Sequence, residues 1–213
     1  MRKKTPRPGA RLAIAGLLSA VLVGCGPHEI SITQNPVGEG ETRRAKVVFL
    51  AGPDSHLPGA HEHEDGSLLL ADSLRQRDPS IETVNVYGGW PPDESIFEGA
   101  DAIVMYCDGG ESHLIMQHLA SFKRLLDEGV GVVAIHYCVE VPKESAAADA
   151  MLTAIGGYFE TWWSVNPTWT ARYTSIPPHP VNEGIEPYTL KDEWDFNMRF
   201  VDEGVSALLS AIP

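Results

Sequence analysis

From Lys46 onward, short apolar segments rich in β-branched residues alternate with segments of helical spacing. The apolar segments are nearly continuous, which is typical of strands buried on both faces of a parallel sheet. Strand–helix alternation of this kind predicts an α/β fold with a central, mostly parallel sheet covered by helices. The predicted strands are KVVFLAG, IETVNVYGG, ADAIVMYCDGG and GVVAIHYC, and the predicted helices are DGSLLLADSLRQR, SHLIMQHLASFKRLLDEG and PKESAAADAMLTAIGG.

Residues that favour helix ends support these bounds. Asp65 suits the N-cap of the first helix, and Pro142 suits the first turn of the third. Gly129 and Gly156 are expected to end the second and third helices. After Gly157 the partial alternation of aromatic and polar residues favours antiparallel or edge strands, and the terminal VSALLSAIP is expected to form one more buried strand.

The N-terminus has the pattern of an export signal. MRKKTPRPGAR carries five basic residues and no acid, and the short apolar run LAIAGLLSAVLVG follows it. Leu22-Val23-Gly24-Cys25 resembles the lipobox of bacterial lipoproteins, which implies cleavage before Cys25, lipidation of its thiol and anchoring at the periplasmic or outer-membrane face of the cell envelope. The alternative is an ordinary secretory signal with an incidental cysteine. The expected divisions are a signal peptide at 1–24, a lipidated tether at 25–45 and one domain at 46–213.

The net charge of the chain limits the kinds of molecule that it can bind. The chain has 16 basic and 29 acidic residues. Loss of the leader, with its five basic residues, leaves 11 basic and 29 acidic residues and a formal net charge of −18. Such a surface repels nucleic-acid phosphates and anionic lipid headgroups, so nucleic-acid binding is excluded and any membrane attachment depends on the lipid anchor. The oligomeric state is left open.

Polar residues follow three of the predicted strands. The first strand leads into HLPGAHEHED, the third into Cys107-Asp108-Gly109-Gly110-Glu111, and the fourth ends at His136-Tyr137-Cys138-Val139-Glu140. In the strand order of flavodoxin-like folds these three strands are neighbours, and ligands of open α/β sheets bind at the carboxyl ends of the strands. The sequence therefore predicts a site on this rim.

Histidines are the first candidates for chemistry there. His61 and His63 point the same way on an extended segment and are candidate ligands for one divalent metal such as zinc. The alternative is a solvated polar loop. His136, at the end of an apolar strand, is either a functional residue or a histidine satisfied by a backbone carbonyl.

Other residue types offer further roles. Cys107 and Cys138 are interpreted as small buried residues, with a disulfide or a nucleophilic Cys138 as alternatives. The carboxylates of Glu140 and Glu193 are candidate bases. Trp162, Trp163 and Trp169 form either a platform for a sugar ring or part of a half-buried strand.

Several motifs together resemble the ThuA-like, or trehalose-utilisation, family: the G-x-H-E near the first helix, the C-D-G-G after the third strand, VVAIHYCVEVP, IGGYFETWWSVNP, HPVNEGI and KDEWDFNMRF. The resemblance implies a class I glutamine amidotransferase-like fold, a flavodoxin-like three-layer sandwich, and a role in carbohydrate metabolism. His136 stands where true amidotransferases place their cysteine nucleophile, so glutamine hydrolysis is not expected. The resemblance implies instead a pocket in which His61 or His63, His136 and Glu193 meet, with a divalent metal in some members. It also implies a C-terminal part shorter than that of relatives.

The first hypothesis is an envelope-anchored hydrolase or isomerase acting on a sugar or sugar derivative. The alternatives are a non-catalytic sugar-binding lipoprotein and a thiol hydrolase using Cys138. The residues assigned to the site are His136, Glu193 and Glu140 as catalytic groups, His61, His63 and His136 as metal ligands, and His56, Asp108, Gly109, Trp162 and Trp163 as substrate-binding groups.

Overall fold

The computed structural model describes residues 29–38 and 40–212, and the predicted signal peptide and Cys25 lie outside them. The described part contains ten strands and three α-helices, joined by short 3₁₀ turns. The strands are β1 (Ser31–Asn35), β2 (Ala45–Ala51), β3 (Ile81–Tyr87), β4 (Ala102–Tyr106), β5 (Gly131–Ile135), β6 (Glu140–Val141), β7 (Gly157–Glu160), β8 (Thr168–Tyr173), β9 (Tyr188–Glu193) and β10 (Arg199–Phe200). The α-helices are α1 (His63–Arg77), α2 (Leu119–Asp127) and α3 (Ala146–Ile155).

The central sheet has five strands in the order β1-β3-β2-β4-β5. Strands β2 to β5 are parallel, and β1 alone pairs antiparallel. The four predicted strands are therefore all present, and their order is that of flavodoxin-like folds. The prediction of an α/β fold with a mostly parallel sheet is confirmed.

Strand β1 corrects the interpretation of residues 25–45 as a tether. Ser31–Asn35 pairs with β3 in the register Ser31↔Tyr87 to Asn35↔Thr83. Without β1, the outer backbone groups of β3 would be left unpaired, and pairing satisfies them. Four of the five β1 residues are exposed, so the segment carries no apolar alternation from which a strand can be recognised.

Helices cover both faces of the sheet. One face of β2 and β4 presents Val48, Leu50, Ile103 and Met105 to α2 and α3, where Phe122 is fully buried. On the other face α1 lies so close to β4 that a Cβ at Gly66 would be 2.9 Å from the Tyr106 ring. Burial of the large side chains between these layers supplies the main stabilisation of the fold.

Helices α1 and α3 begin at other residues than the sequence predicts. Helix α1 begins at His63 with Glu62 at the N-cap position, so Asp65 lies in the first turn. Helix α3 begins after Ser145, whose hydroxyl accepts from the Ala148 backbone N–H, so Pro142 lies before the helix. Gly156, with φ of 75°, ends α3 as predicted.

The second predicted helix is two separate elements. A 3₁₀ turn at Leu114–Gln117 precedes α2, and His118 between them has φ of −125° and ψ of 23°. The His113 imidazole accepts from the Ile115 backbone N–H and so starts the turn separately from the helix. Gly129, with φ of 83°, lies just past the end of α2 as expected.

The C-terminal third forms a small sheet, β10-β7-β6, and an antiparallel hairpin of β8 with β9. Strand β10 pairs antiparallel with β7, and β8 with β9, as expected after Gly157, whereas β7 also pairs parallel with β6. The predicted strand over 205–213 is wrong: residues 205–212 pair with no other strand in the described part, and Ile212 is 93% exposed. Within residues 29–38 and 40–212, no helix is both long and apolar enough to cross a membrane.

Candidate functional site

The loops after β2, β4 and β5 meet at the carboxyl ends of the parallel strands, where the sequence places the site. The loop after β2 and the turn after β5, together with the β8–β9 hairpin, line a cavity of about 480 Å³, here called the histidine pocket. Asp108, which follows β4, lies behind it, 3.5 Å from Nδ1 of His61. The residues that line the pocket are His56, Gly59, Ala60, His61, His136, Tyr137, Asn166, Asp192 and Glu193.

His136 occupies a strained corner in this pocket. It directly follows β5, begins a 3₁₀ turn at His136–Val139 and has φ of 53°. A non-glycine residue in the left-handed region costs conformational energy, and such residues cluster at functional sites. The corner presents the imidazole to the pocket, in the manner in which a strand-to-helix turn presents a nucleophile.

Two groups lie within reach of the His136 imidazole. Its Nε2 atom is 3.3 Å from Nε2 of His61 and 3.9 Å from Oε2 of Glu193. The Asn166 side-chain amide donates to Oε2 of Glu193 at 3.2 Å, which helps to hold the carboxylate in place. The structure therefore brings together three residues that the sequence analysis assigned to one pocket, and it adds Asn166 and Tyr137, which that analysis did not assign.

A row of buried atoms without partners lies behind the histidine pocket. His63 is fully buried, and its Nδ1 lies 2.9 Å from the Pro53 carbonyl. A carbonyl only accepts, so Nδ1 carries the proton and Nε2 presents a lone pair. That Nε2 lies 3.9 Å from Oδ1 of Asp108, and Nδ1 of His61 lies 3.5 Å from the same oxygen. None of these three atoms has a hydrogen-bond partner.

A bound cation would satisfy these unpartnered atoms. One ligand atom from each of His56, His61 and Asp108 lies within 4.8 Å of the others. Two imidazoles and a carboxylate suit zinc and other divalent transition metals. Neighbouring ligands of a tetrahedral ion with bonds of about 2.1 Å are roughly 3.4 Å apart, close to the 3.5 Å between His61 and Asp108.

The geometry groups the candidate metal ligands differently from the prediction. His61, His63 and His136 do not form one compact group, because Asp108 faces Nδ1 of His61 while His136 faces its Nε2. An ion held beside Asp108 therefore takes His61 and His56, and His136 stays free to face the pocket. His61 is prepared for this role, because burial and the neighbouring His56 keep its pKa below the ordinary value and its imidazole neutral.

Glu140, predicted as a catalytic base, lines a different cavity. This space of about 550 Å³, here called the Glu140 cavity, adjoins the histidine pocket, because Tyr137 and Asn166 line both. Glu140 is only 5% exposed, and its Oε2 has no hydrogen-bond partner. Burial and the adjacent Glu140 carboxylate raise the pKa of Tyr137 to about 12, so its phenol keeps its proton.

Gly109 supports Glu140 and is not itself a wall of either cavity. A Cβ built on Gly109 would lie 2.5 Å from Cβ of Glu140 and 2.6 Å from the Tyr137 carbonyl oxygen. The backbone of the loop after β4 therefore packs directly on the turn after β5, and only glycine allows this approach.

Gly109→Ala is expected to lower the free energy of unfolding by about 3 kcal/mol, because the added methyl group meets backbone atoms that have no room to move. Gly131→Ala is the matched control, since a Cβ there would have its closest contact at an ordinary 3.5 Å. Urea unfolding of both variants measures the difference, and equal stability of the two would contradict the close packing described for Gly109.

The two tryptophans predicted as a sugar platform lie in different surroundings. Trp162 is 99% exposed, has φ of 67° and lies at the rim of the Glu140 cavity. Trp163 is half-exposed, and the Arg199 guanidinium covers its ring at 4.5 Å from the centroid. Trp162 alone has an uncovered ring at the edge of a cavity.

Cys138 does not suit the role of a nucleophile. Its side chain is fully buried, and burial raises the pKa of the thiol far above its usual range. Because the thiolate is the reactive form, the thiol-hydrolase alternative is wrong for this structure. Cys107 and Cys138 are both free, as the interpretation as small buried residues predicts.

The two cysteines form a second potential metal group with His113. The Ile115 backbone N–H donates to Nδ1 of His113, so Nε2 carries the proton and donates to the Cys138 carbonyl at 2.7 Å. Both nitrogens are therefore in use, and no lone pair is left for an ion. The donor set fits a metal poorly, and His113 is a structural residue.

The fold has a known counterpart. A protein from Bacteroides uniformis ATCC 8492, described as ThuA-like, superimposes on 76% of this chain with a TM-score of 0.50 and 14% sequence identity. The chain has a ThuA-like fold. It spans 64% of the length of that protein, and identity this low concerns the fold alone. No family model matches the chain, and no curated protein matches it.

Proposed function

We propose that the chain is an enzyme of carbohydrate metabolism that acts by acid–base chemistry on a neutral sugar or sugar derivative. The observation that carries the proposal is the meeting of His61, His136 and Glu193 in one cavity at the carboxyl ends of the parallel strands. The ThuA-like resemblance implies the fold of class I glutamine amidotransferases, and His136 would then lie at the corner where those enzymes hold a nucleophile. Hydrolysis or isomerisation of an oxidised sugar is the reaction class that we assign.

The charge of the histidine pocket supports a neutral substrate. Asp192 and Glu193 line the cavity and Asp108 lies behind it, whereas no lysine or arginine lines it among the described residues. A phosphate or carboxylate on the substrate would meet these acids without a fixed cation to balance it. Hydroxyl groups, in contrast, donate to carboxylates and accept from imidazole N–H and amide groups.

Acid–base work is assigned to His136 with Glu193. His136 takes or gives the proton at Nε2, the atom that faces both His61 and Glu193. Glu193, held by Asn166, stabilises the charge that the imidazole gains. His61 lies 3.3 Å from that atom and remains neutral because its pKa is lowered.

A divalent metal such as zinc, where bound, is held by His56, His61 and Asp108. It would supply Lewis-acid polarisation of a substrate carbonyl or hydroxyl oxygen. Nε2 of His63 lies 3.9 Å from Oδ1 of Asp108, so a bound cation would also offset the repulsion between these two acceptors.

Export and lipid anchoring complete the proposal. The basic leader, the apolar run and the lipobox-like Leu22–Cys25 support lipidation of Cys25 and attachment at the cell envelope. Residues from Ser31 onward belong to the folded domain, so the linker between the lipid and the domain is shorter than the 25–45 segment.

Turnover of a neutral disaccharide and of its keto derivative tests the proposal. His136→Gln and Glu193→Gln are each expected to lower kcat by about 10²- to 10⁴-fold, because each removes a group that moves or balances the proton. Glu186→Gln, an exposed change outside the pocket, is the control and is expected to leave kcat unchanged.

A sugar phosphate serves as the competing substrate in the same assay and is expected to react more slowly than the neutral sugar. Binding of the neutral sugar with no turnover by the wild-type chain would contradict the enzyme and support the non-catalytic sugar-binding alternative. Turnover that survives both substitutions would move the chemistry away from His136 and Glu193.

A further inference from the structure

The Glu140 cavity is a built site that the chemistry of the histidine pocket does not use. Its walls come from the turn after β5, the loop after β4 and the segment after β7, and its size is within the range of about 300–1,000 Å³ that small-molecule sites have. Tyr137 and Asn166 line both cavities, so the two spaces adjoin, and a molecule that passes these two side chains would occupy both.

Two buried polar atoms in this cavity lack partners. Oε2 of Glu140 accepts no hydrogen bond although the side chain is 5% exposed, and the Thr161 hydroxyl is also buried and unpartnered. A buried carboxylate oxygen without a donor is costly, and a ligand hydroxyl would satisfy it. The Thr161 hydroxyl both donates and accepts, so it also matches a hydroxyl group.

Trp162 supplies an apolar surface beside these polar atoms. Its ring is almost entirely exposed and its backbone is in the left-handed region, an arrangement that costs energy with no compensating burial. An aromatic face suits the apolar face of a sugar ring, whose hydroxyls point outward at its edge. A buried acceptor below and a free aromatic ring at the rim are the two parts of a sugar subsite.

Charge excludes an anionic ligand here too. Glu111 and Glu140 line the cavity against one lysine, Lys143, which pairs with Glu144 at 3.5 Å. The balance is negative, so a neutral ring with hydroxyl groups fits better than a sugar acid or phosphate.

We propose that the Glu140 cavity binds a second, neutral, hydroxylated ring of the substrate while the first ring reacts beside His136 and Glu193. Glu140 accepts hydrogen bonds from hydroxyls of the second ring, and Trp162 stacks on its apolar face. Glu140 is thus a binding residue and not the base that the sequence suggests. The subsite rests on the proposed function, since it concerns the same substrate.

Calorimetric titration of one-ring and two-ring sugars tests the subsite. Glucose is the one-ring probe, and trehalose and maltose are the two-ring probes. At least one disaccharide is expected to bind the wild-type chain about 10-fold or more tightly than glucose does, because hydrogen bonds to a buried charge add affinity of this order. Trp162→Ala and Glu140→Gln are expected to remove that advantage and leave glucose binding unchanged.

The chosen variants distinguish a loss of sugar binding from a loss of folding. Trp162 is 99% exposed, so its loss removes almost no packing, and Glu144→Gln is a neighbouring exposed control expected to bind like the wild type. Equal affinity for glucose and both disaccharides, or a disaccharide advantage that survives both variants, overturns the subsite and leaves the proposed function standing. Failure of all three sugars to bind, with the chain folded by circular dichroism, overturns both.

Discussion

Zinc titrated into the purified chain is expected to bind at the His56–His61–Asp108 group, and Asp108→Ala or His61→Ala is expected to weaken it about 100-fold or more. Loss of supporting groups alone costs roughly 10- to 100-fold in metal affinity, and loss of a ligand costs at least as much. The reason is that His61 Nδ1 and Asp108 Oδ1 are buried, unpartnered and 3.5 Å apart. Competition with a chromogenic chelator measures the affinity.

His179→Ala is the matched control for this titration, because His179 is exposed and outside the group. Retention of full affinity in Asp108→Ala would contradict the assignment. Loss of affinity in Cys138→Ser but not in Asp108→Ala would place the ion at the cysteine cluster instead. Because the pKa of His61 is lowered, protons should compete with the ion only at pH values below those expected for a free imidazole.

Stability of the chain is expected to fall by about 3 kcal/mol through His113 alone as the pH decreases from about 6.5 to about 4. Burial lowers the pKa of His113 to about 4, whereas the unfolded chain has an ordinary histidine with a value near 6.5. Between these values the unfolded state binds the proton and the folded state does not, so acid favours unfolding. Above pH 6.5 both states are neutral and the contribution is constant.

His113→Gln isolates this effect, since glutamine can donate and accept but does not titrate. The variant is expected to be less stable than the wild type at pH 7.5 and to lose less stability on acidification, so the gap between the two should narrow toward pH 4. Urea unfolding at several pH values gives both curves, and His179→Gln, at an exposed site, should follow the wild type. Parallel curves for wild type and His113→Gln would show that His113 already titrates normally in the folded state.

Much of the fold could be predicted from the sequence because its parallel strands are short, nearly continuous apolar segments, even though the edge strand β5 is only partly buried. Segments such as Lys46–Gly52 and Gly131–Ile135 are nearly all apolar, and helical segments separate them, which leaves few alternatives to a parallel sheet. Strand β1 was not predicted, because its exposed residues do not alternate between apolar and polar. The strand expected over 205–213 has an apolar composition but no partner in the described residues, and composition alone does not supply pairing.

The site was predictable in position but not in detail. The rule that ligands bind at the carboxyl ends of parallel strands brings His61, Asp108 and His136 to one rim. Which nitrogen of His61 faces Asp108 depends on ring orientation, and spacing along the chain does not encode it. Glu193 comes from a hairpin whose docking on the sheet depends on tertiary contacts, so spacing along the chain named it as a candidate base but could not place it in the pocket.

The 3₁₀ turn after β5 determines where three of the candidate site residues lie. If the strand continued through Cys138, His136 and Cys138 would point to the same face of the sheet, because side chains two residues apart do so. The turn instead points His136 into the pocket and Cys138 into the core. The same turn carries Glu140 beyond the histidine pocket into the adjoining cavity. Sequence spacing therefore could not separate a base from a nucleophile or a binding residue.

Proton NMR of a neutral keto-disaccharide incubated with the chain in deuterated buffer tests the central claim most directly. The account predicts conversion of the sugar, with loss of the substrate signals, at a rate that falls about 10²- to 10⁴-fold in His136→Gln. An unchanged spectrum over long incubation, with binding of the same sugar shown by titration, would contradict acid–base catalysis in the histidine pocket. Equal conversion by the wild type and His136→Gln would contradict the role of His136.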